Sequence, residues 1–480
     1  MSEEPATASQ SPTMKSLLTL LAFCVLTGLA SAADTKPHII FVMADDMGWG
    51  QTGYRGHPVL KTPNLDAMAA NGLRFERFYA GGPVCSPTRA AMLTGRSHER
   101  AGVLTHGYAL RTQEKTIAQA LKGAGYVTGH FGKWHLNGHK GPGAPIFADD
   151  PRGPGAFGFD EWVSVSNFYD VDPLMSRAGK FEQMKGDSSE IAVAEAVKFL
   201  GKHKAGGKPM FAVVWYGTPH SPFKALDADK AAFGGLNEAS ANHYGELVAM
   251  DRSIGTLRAK LRDLGLAQNT MLVFCSDNGG LPGITPETVG GLRGNKGSVF
   301  EGGIRVPGII RWPGKVPAGK IDDASVVAGV DWLPTVCHFA GVKLPTTHRP
   351  DGEIMADVFQ GQSRARTTPL LWEWRFRIAG EPFHHSPQLA IREGDWKLLL
   401  NPDRSRVELY DLKRDLTQLN NLAEKQPDLV ARLSEKALAW SKDLPPGPRD
   451  PGAGQMNAPL PGQPKAAANP NAGKGKKKAQ

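Results

Sequence analysis

Five largely apolar runs, each only long enough for a β-strand, constrain this chain more than any other feature. They are His38–Ala44, Tyr126–Phe131, Met210–Tyr216, Met271–Cys275 and Val306–Trp312. A strand that is apolar at every position has both of its faces covered, because successive side chains point to opposite sides of a sheet. Helical patterns fall between the runs, at Asn64–Ala70, Thr116–Gly123, Ser188–Leu200 and Asn242–Leu264. Strands alternating with helices predict an α/β fold with its sheet buried between helical layers. Near residue 365 the pattern changes. Gln388–Arg392, Trp396–Leu400 and Val407–Tyr410 are short runs separated by turn residues, and a helix follows at about Asp428–Ser441. That reads as a small C-terminal antiparallel sheet with one helix.

Domain limits follow from these changes of pattern. Lys15 precedes an apolar run from Leu17 to Leu29, and Ala30-Ser31-Ala32 follows, as in a secretory signal peptide cut after Ala32. Met14 is then the expected true start, and the run is too short to span a bilayer. Residues 33–364 form the expected catalytic domain and 365–443 the C-terminal subdomain. Residues 444–480, rich in Pro, Gly, Ala and Lys, are expected to form a disordered basic tail. The chain is expected to be exported, either periplasmic or secreted, without membrane insertion. Its net charge of +9 does not indicate nucleic-acid binding, because residues 451–480 alone carry five Lys and no acid. Of four cysteines, Cys24 leaves with the signal. Cys85, Cys275 and Cys337 form no disulfide framework.

Chemistry-bearing residues gather just after the apolar runs. Asp45 and Asp46 follow the first, Lys133 and His135 the second, His220 the third, Asp277 and Asn278 the fourth. Ligands of open α/β sheets bind beyond the carboxyl ends of the strands, so these segments are predicted to converge. The three carboxylates and one amide are hard oxygen donors suited to calcium or magnesium. Taken singly, an Asp pair reads first as a cap of the segment that follows it, but two such pairs, each ending an apolar run, favour a metal site. Ser86 suits a helix N-cap and Pro87 a first helical position, which sets Cys85 at a helix N-terminus with Arg89 one turn on. There the cysteine is either an activated thiolate or a small buried residue.

At this segment the sequence resembles the sulfatase family. Cys85-Ser86-Pro87-Thr88-Arg89 with Leu93-Thr94-Gly95-Arg96 matches the signal by which the family's cysteine is oxidised to formylglycine. Further motifs come in family order: Ala44-Asp45-Asp46-Met47-Gly48-Trp49-Gly50, Gly132-Lys133-Trp134-His135, Thr218-Pro219-His220, Ser276-Asp277-Asn278-Gly279-Gly280 and Arg293-Gly294-Asn295-Lys296-Gly297. Glu301-Gly302-Gly303-Ile304-Arg305-Val306-Pro307 and Gly394-Asp395-Trp396-Lys397 continue the match, which spans roughly residues 36–425.

The resemblance implies an alkaline-phosphatase-like mixed sheet and hydrolysis of a sulfate ester, from a sulfated carbohydrate or an aryl sulfate. It implies one calcium ion held by Asp45, Asp46, Asp277 and Asn278 and faced by the modified Cys85. Arg89 and Lys133 would hold the hydrated aldehyde, and Lys133 with Lys296 the sulfate oxygens. His135 would act as base, while His220 and Lys296 assist the leaving alcohol. A formylglycine-generating maturation enzyme is the implied partner. A phosphodiesterase or phosphonate monoester hydrolase on the same fold, and an inert glycan-binding homologue, remain alternatives. Trp49, Trp134 and Trp312 are read as packing. Specificity is assigned to the loops Asn137–Phe157 and Asn167–Lys185.

Overall fold

The computed structural model describes residues 1–3 and 36–455. The signal peptide and the end of the tail lie outside the described residues. Strands are numbered in chain order. The first nine are β1 (His38–Ala44), β2 (Leu73–Phe75), β3 (Phe78–Tyr79), β4 (Val127–Lys133), β5 (Glu161–Val165), β6 (Leu174–Arg177), β7 (Lys180–Gln183), β8 (Met210–Trp215) and β9 (Thr270–Ser276). The others are β10 (Gly308–Arg311), β11 (Lys320–Asp322), β12 (Val327–Ala328), β13 (Leu370–Glu373), β14 (Leu389–Glu393), β15 (Trp396–Leu400) and β16 (Val407–Asp411).

Ten strands form one sheet in the order β11-β2-β10-β9-β1-β8-β4-β5-β6-β7. Its centre, from β9 to β5, is parallel, while β10 and the β6–β7 hairpin run antiparallel at the flanks. The apolar character of the central strands is explained by two separate cores. Ile39, Phe41 and Met43 point into one, among the helices Cys85–Thr94, Ile117–Gly123 and Trp332–Ala340. Ile40, Val42 and Ala44 point into the other, beneath Ser188–His203 and Glu238–Asp263. Phe41 meets Trp332 edge-on at 4.8 Å, an aromatic arrangement that adds to the area it buries.

The registry matters for function. Ala44 pairs with Ser276 across β1 and β9, so Asp45 and Asp277 leave adjacent strands at the same level. Gly132 pairs with Trp215 across β4 and β8, which brings Lys133 to that same edge. The turn after Asp46 is fixed from below: Gly48 N–H donates to Gln51 Oε1 at 2.9 Å, and Gln51 Nε2 donates to His243 Nε2 at 2.6 Å.

A four-stranded antiparallel sheet, β13-β14-β15-β16, with the helix Pro427–Lys442 makes the C-terminal subdomain. Its connection to the large sheet is ionic as well as apolar. Glu301 is fully buried and accepts from Lys397 Nζ at 2.7 Å, Tyr79 OH at 2.7 Å and Arg305 Nη1 at 3.2 Å. Burial opposes its ionisation, but Lys397, Arg305 and Arg392 prevail and hold its pKa at about 2.

Three sequence expectations change. The segment Asn167–Lys185, expected as a loop, contains the β6–β7 hairpin. Ser86 is not the N-cap of its helix: the helix begins at Cys85 itself, Val84 occupies the cap, and Ser86 Oγ accepts from Gly107 N–H at 3.0 Å instead. The tail's ordered part extends beyond Leu444, because Arg449 pairs with Glu373, Gln388 Nε2 donates to Ala453 O at 3.0 Å, and Asn401 Nδ2 to Gly454 O at 3.2 Å. Composition could not signal a segment held by side chains of another element.

Glu301→Gln is expected to lower stability by about 3–5 kcal/mol, because Lys397 and Arg305 would remain buried without their counter-charge; urea unfolding measures it. His243 gives a pH signature. Burial pushes its pKa from 6.5 down to about 3, so folding favours the neutral ring that accepts from Gln51. That stability is complete above pH 6.5 and is lost as pH falls toward 3. His243→Gln should flatten the fall in urea midpoint over this window.

Candidate active site

The edge of the sheet where β1, β4, β8 and β9 end collects the predicted residues. Asp45, Asp46, Cys85, Arg89, Lys133, His135, Asp277 and Asn278 are all buried. Lys133 Nζ donates to Asp45 Oδ2 at 2.5 Å, and Lys296 Nζ to Asp46 Oδ2 at 2.7 Å. Arg89 joins the two strand ends: its Nη2 lies 2.9 Å from Asp277 Oδ2 and 3.6 Å from Asp45 Oδ1. Asn278 Nδ2 donates to Asp46 Oδ1 at 2.7 Å, and Asp46 N–H donates to Asp277 Oδ1 at 3.0 Å. Asp46 adopts a φ of 70° and His135 one of 55°. Such left-handed backbone in non-glycine residues persists where surrounding structure enforces it, commonly at functional sites.

Protonation follows from burial and neighbours. Burial opposes charge on Asp45, yet Lys133 first, with Arg89 and Lys296, holds its pKa well below the usual carboxylate range. Asp277 goes the other way: burial, then the charge of Asp45, raise it. The two acids share a charge that neither sheds to water, a conflict a bound cation removes. Burial pushes the Cys85 thiol up to about 12. Burial therefore favours the protonated thiol over an activated thiolate at neutral pH.

Both histidines are neutral. Burial, then Lys133 and Arg89, drive His135 well below its ordinary value, and neither of its ring nitrogens has a hydrogen-bond partner. Burial, then Lys296 and Lys133, lower His220 to about 4. His220 Nδ1 lies 2.5 Å from Ser221 O, and its Nε2 lies 3.7 Å from Asp46 Oδ2. A neutral ring that donates from Nδ1 to a carbonyl presents a bare Nε2 to the site.

The donor set suits a hard divalent cation. Ligand atoms of Asp45, Asp46 and Cys85 lie within 4.8 Å of one another. Asp45 Oδ1 and Asn278 Oδ1 are buried acceptors with no hydrogen-bond donor. Carboxylate and amide oxygens left open in a buried pocket are what calcium or magnesium takes up.

The C-terminal subdomain completes the site, which motif reading did not show. Arg293 Nη1 reaches Glu408 Oε2 at 3.1 Å and Tyr410 OH at 2.9 Å on β16, and Gly294 N–H donates to His384 Nδ1 at 2.9 Å. These bonds hold the loop that presents Lys296. Phe168 also escaped sequence reading; it stacks on His220 with ring centroids 4.8 Å apart. Nothing in its local pattern distinguishes it from a core aromatic.

Comparison with known proteins agrees with this geometry. A family model described as Sulfatase matches residues 37–342, and one described as N-sulphoglucosamine sulphohydrolase, C-terminal, matches residues 294–442. N-acetylgalactosamine-6-sulfatase of Sus scrofa is 33% identical over 371 residues, 70% of this chain and 68% of that protein. Arylsulfatase A of Homo sapiens is 31% identical over 425 residues, 80% and 77% of the two chains. The crystal structure of Ps i-CgsB superposes with a TM-score of 0.74 at 28% identity, covering 85% of this chain and 94% of that one. A phosphonate monoester hydrolase from Agrobacterium radiobacter shares the fold alone, with a TM-score of 0.61 at 21% identity. Formylglycine and a metal ion are typical of the group that the first of these family models describes. With motifs, fold and relatives in agreement, the chain belongs to the sulfatase family and is a hydrolase of sulfuric esters.

Proposed function

We propose that this sulfatase removes sulfate from a sulfated carbohydrate, using formylglycine made from Cys85 and one calcium ion. A single observation carries the reading: Cys85 begins a buried helix beside two carboxylates, with its thiol held protonated. Such a sulfur is a poor nucleophile, yet it stands where an attacking group is needed. The hydrated aldehyde would supply an oxygen nucleophile with a second hydroxyl for later release of sulfate, and calcium would neutralise charge on the sulfate oxygens.

The chain's own groups divide the remaining work. Asp45, Asp46, Asp277 and Asn278 would hold the metal, with the modified residue 85 facing it. Arg89 and Lys133 orient the nucleophile through their fixed bonds to Asp45 and Asp277. Lys133 and Lys296 set cations where the peripheral sulfate oxygens come to rest, which lowers the barrier for attack on an anion. His135, neutral and unpartnered, accepts a proton at a ring nitrogen. The bare Nε2 of neutral His220 accepts rather than donates, so Lys296 Nζ would supply the proton to the leaving alcohol, with His220 positioning it.

A carbohydrate substrate draws support from the relatives. One is named for N-acetylgalactosamine 6-sulfate, and Ps i-CgsB has been crystallised with k-i-k-neocarrahexaose. Export through a signal peptide at residues 1–32 belongs to the same reading, as do a catalytic domain at 33–364 and a subdomain at 365–443. Among the described residues no helix is long and apolar enough to cross a membrane.

Co-expression with a formylglycine-generating enzyme, followed by mass spectrometry of the peptide spanning Cys85, should show thiol-to-aldehyde conversion. Sulfate release should appear only in the converted fraction. An unconverted thiol in an active enzyme, or dominant turnover of phosphate diesters, would sink the reading. Chelation should abolish turnover and calcium should restore it more fully than magnesium. Lys133→Ala should lower kcat by about a hundredfold or more, as expected for one charge-stabilising donor.

A further inference from the structure

The junction between the large sheet and the C-terminal subdomain holds more positive charge than its ion pairs account for. Three buried cations, Lys397, Arg305 and Arg392, act on the single carboxylate of Glu301. Lys397 Nζ and Arg305 Nη1 bond it directly. Arg392 does not: it donates from Nη1 to Tyr79 OH and from Nε to Gly394 O at 3.2 Å, with its guanidinium 4.7 Å from the Tyr79 ring centre. Tyr79 offers no counter-charge, because burial raises its pKa and keeps the phenol neutral. Glu76, which also acts on Arg305, already pairs with Arg55 and Arg74, each at 2.8 Å. Burial, opposed by Glu301, pulls Lys397 down to about 8, and Arg392 and Arg305 add to the fall.

A cavity of about 440 Å³ opens onto this excess, with Arg77, Arg366, Arg392, Lys413 and Asp323 among its walls. Arg392 comes from β14, Lys413 follows β16, and Arg77 follows β2. Several of these charges are already matched. Arg77 faces Asp395 at 2.7 Å, Arg366 grips Asp331 through bonds of 2.6 and 2.8 Å, and the lining Glu393 meets Arg432 and Lys436. Two cations remain. Arg392 is only 3% exposed, yet its Nη2 has no acceptor, and the exposed Lys413 has none for its ammonium. Neither has a carboxylate within ion-pair distance among the described residues. Of the lining acids Asp323 alone is outside an ion pair, and it is exposed.

A buried guanidinium without a counter-ion is costly, so the excess calls for an anion. The donors narrow its kind. An arginine fork and a lysine ammonium offer N–H donors and no acceptors. Converging from separate strands, they suit a tetrahedral oxyanion, whose oxygens point apart, better than a planar carboxylate. The cavity is also separate from the reacting centre, since none of the metal-site residues lines it. Through Gly308, Phe75 of β2 is level with Cys275 of β9, which sets Arg77 about 10 Å across the sheet from Asp277, with β10 between.

We propose that this junction cavity is a second anion site, which binds a sulfate or phosphate group between Arg392 and Lys413 and stabilises the contact of the C-terminal subdomain with the large sheet. Arg392 donates from Nη2 and Lys413 from Nζ, and no covalent bond is made or broken. A free ion and a group carried on a sulfated polymer present the same oxygens to these donors. Binding here is independent of formylglycine at position 85.

The test follows the urea midpoint of the full-length enzyme as sodium sulfate, sodium phosphate or dextran sulfate is added at constant ionic strength, with sodium chloride as reference. An anion held by the folded state raises the midpoint by mass action. Lys413→Ala should need about fivefold more sulfate than wild type for the same rise, as loss of one exposed charge contact predicts, and Lys413→Arg should restore the response. Sulfate at the reacting centre and the general stabilising effect of the salt are common to all three proteins and cancel. Turnover of 4-methylumbelliferyl sulfate should be unchanged by Lys413→Ala. Crystals soaked in selenate should show anomalous density between Arg392 and Lys413. A rise driven by inorganic sulfate or phosphate alone supports a free ion. Dextran sulfate acting at a lower concentration of sulfate groups, with that advantage lost in Lys413→Ala, supports a polymer-borne group. A sulfate response equal in wild type and Lys413→Ala, or selenate density confined to the reacting centre, would overturn the proposal.

Discussion

Three carboxylates at the ends of two neighbouring parallel strands are the constraint on which the rest of the structure depends. Asp45, Asp46 and Asp277 are fully buried where water cannot solvate them, and buried charge persists only with partners. Arg89, Lys133 and Lys296 are those partners, and they come from a helix, a strand end and a distant loop. Convergence of these elements is thus an electrostatic requirement of the fold. Burial in the same pocket keeps the Cys85 thiol protonated.

The C-terminal subdomain is part of this arrangement. Glu301 and Lys397 form one buried pair across its junction with the large sheet, and Arg293 with Glu408 forms another. The second pair fixes the loop of Lys296, so the small sheet sets where that lysine meets Asp46. The ordered stretch from Leu444 to Gln455 braces the same region, through Arg449 on Glu373 and Asp450 on Arg377. The stability of the subdomain and the position of Lys296 are therefore linked.

Much of this was legible in the chain. The strand β1 was read with its observed limits, and β8, β9 and the long helices to within a few residues, because a doubly covered strand cannot hide its apolar continuity. The site residues were legible because each follows a strand end or sits in a short motif, so that local order implies nearby position. What escaped notice had no local signal. The β6–β7 hairpin is short, with an exposed outer strand. The cap at Val84 differs from the expected Ser86 because Gly107, twenty-one positions away, claims that hydroxyl. Phe168 looks like an ordinary core aromatic until the fold stacks it on His220.

The sequence by itself determined the two-faced sheet, the set of oxygen donors and cations, and the cysteine signature, since periodicity and residue chemistry are written along the chain. Only the tertiary structure decided which of these groups share charge, which nitrogens are left without partners, and what walls surround the ester. Those depend on burial and on distances between residues separated by up to hundreds of positions, and desolvation has no one-dimensional pattern.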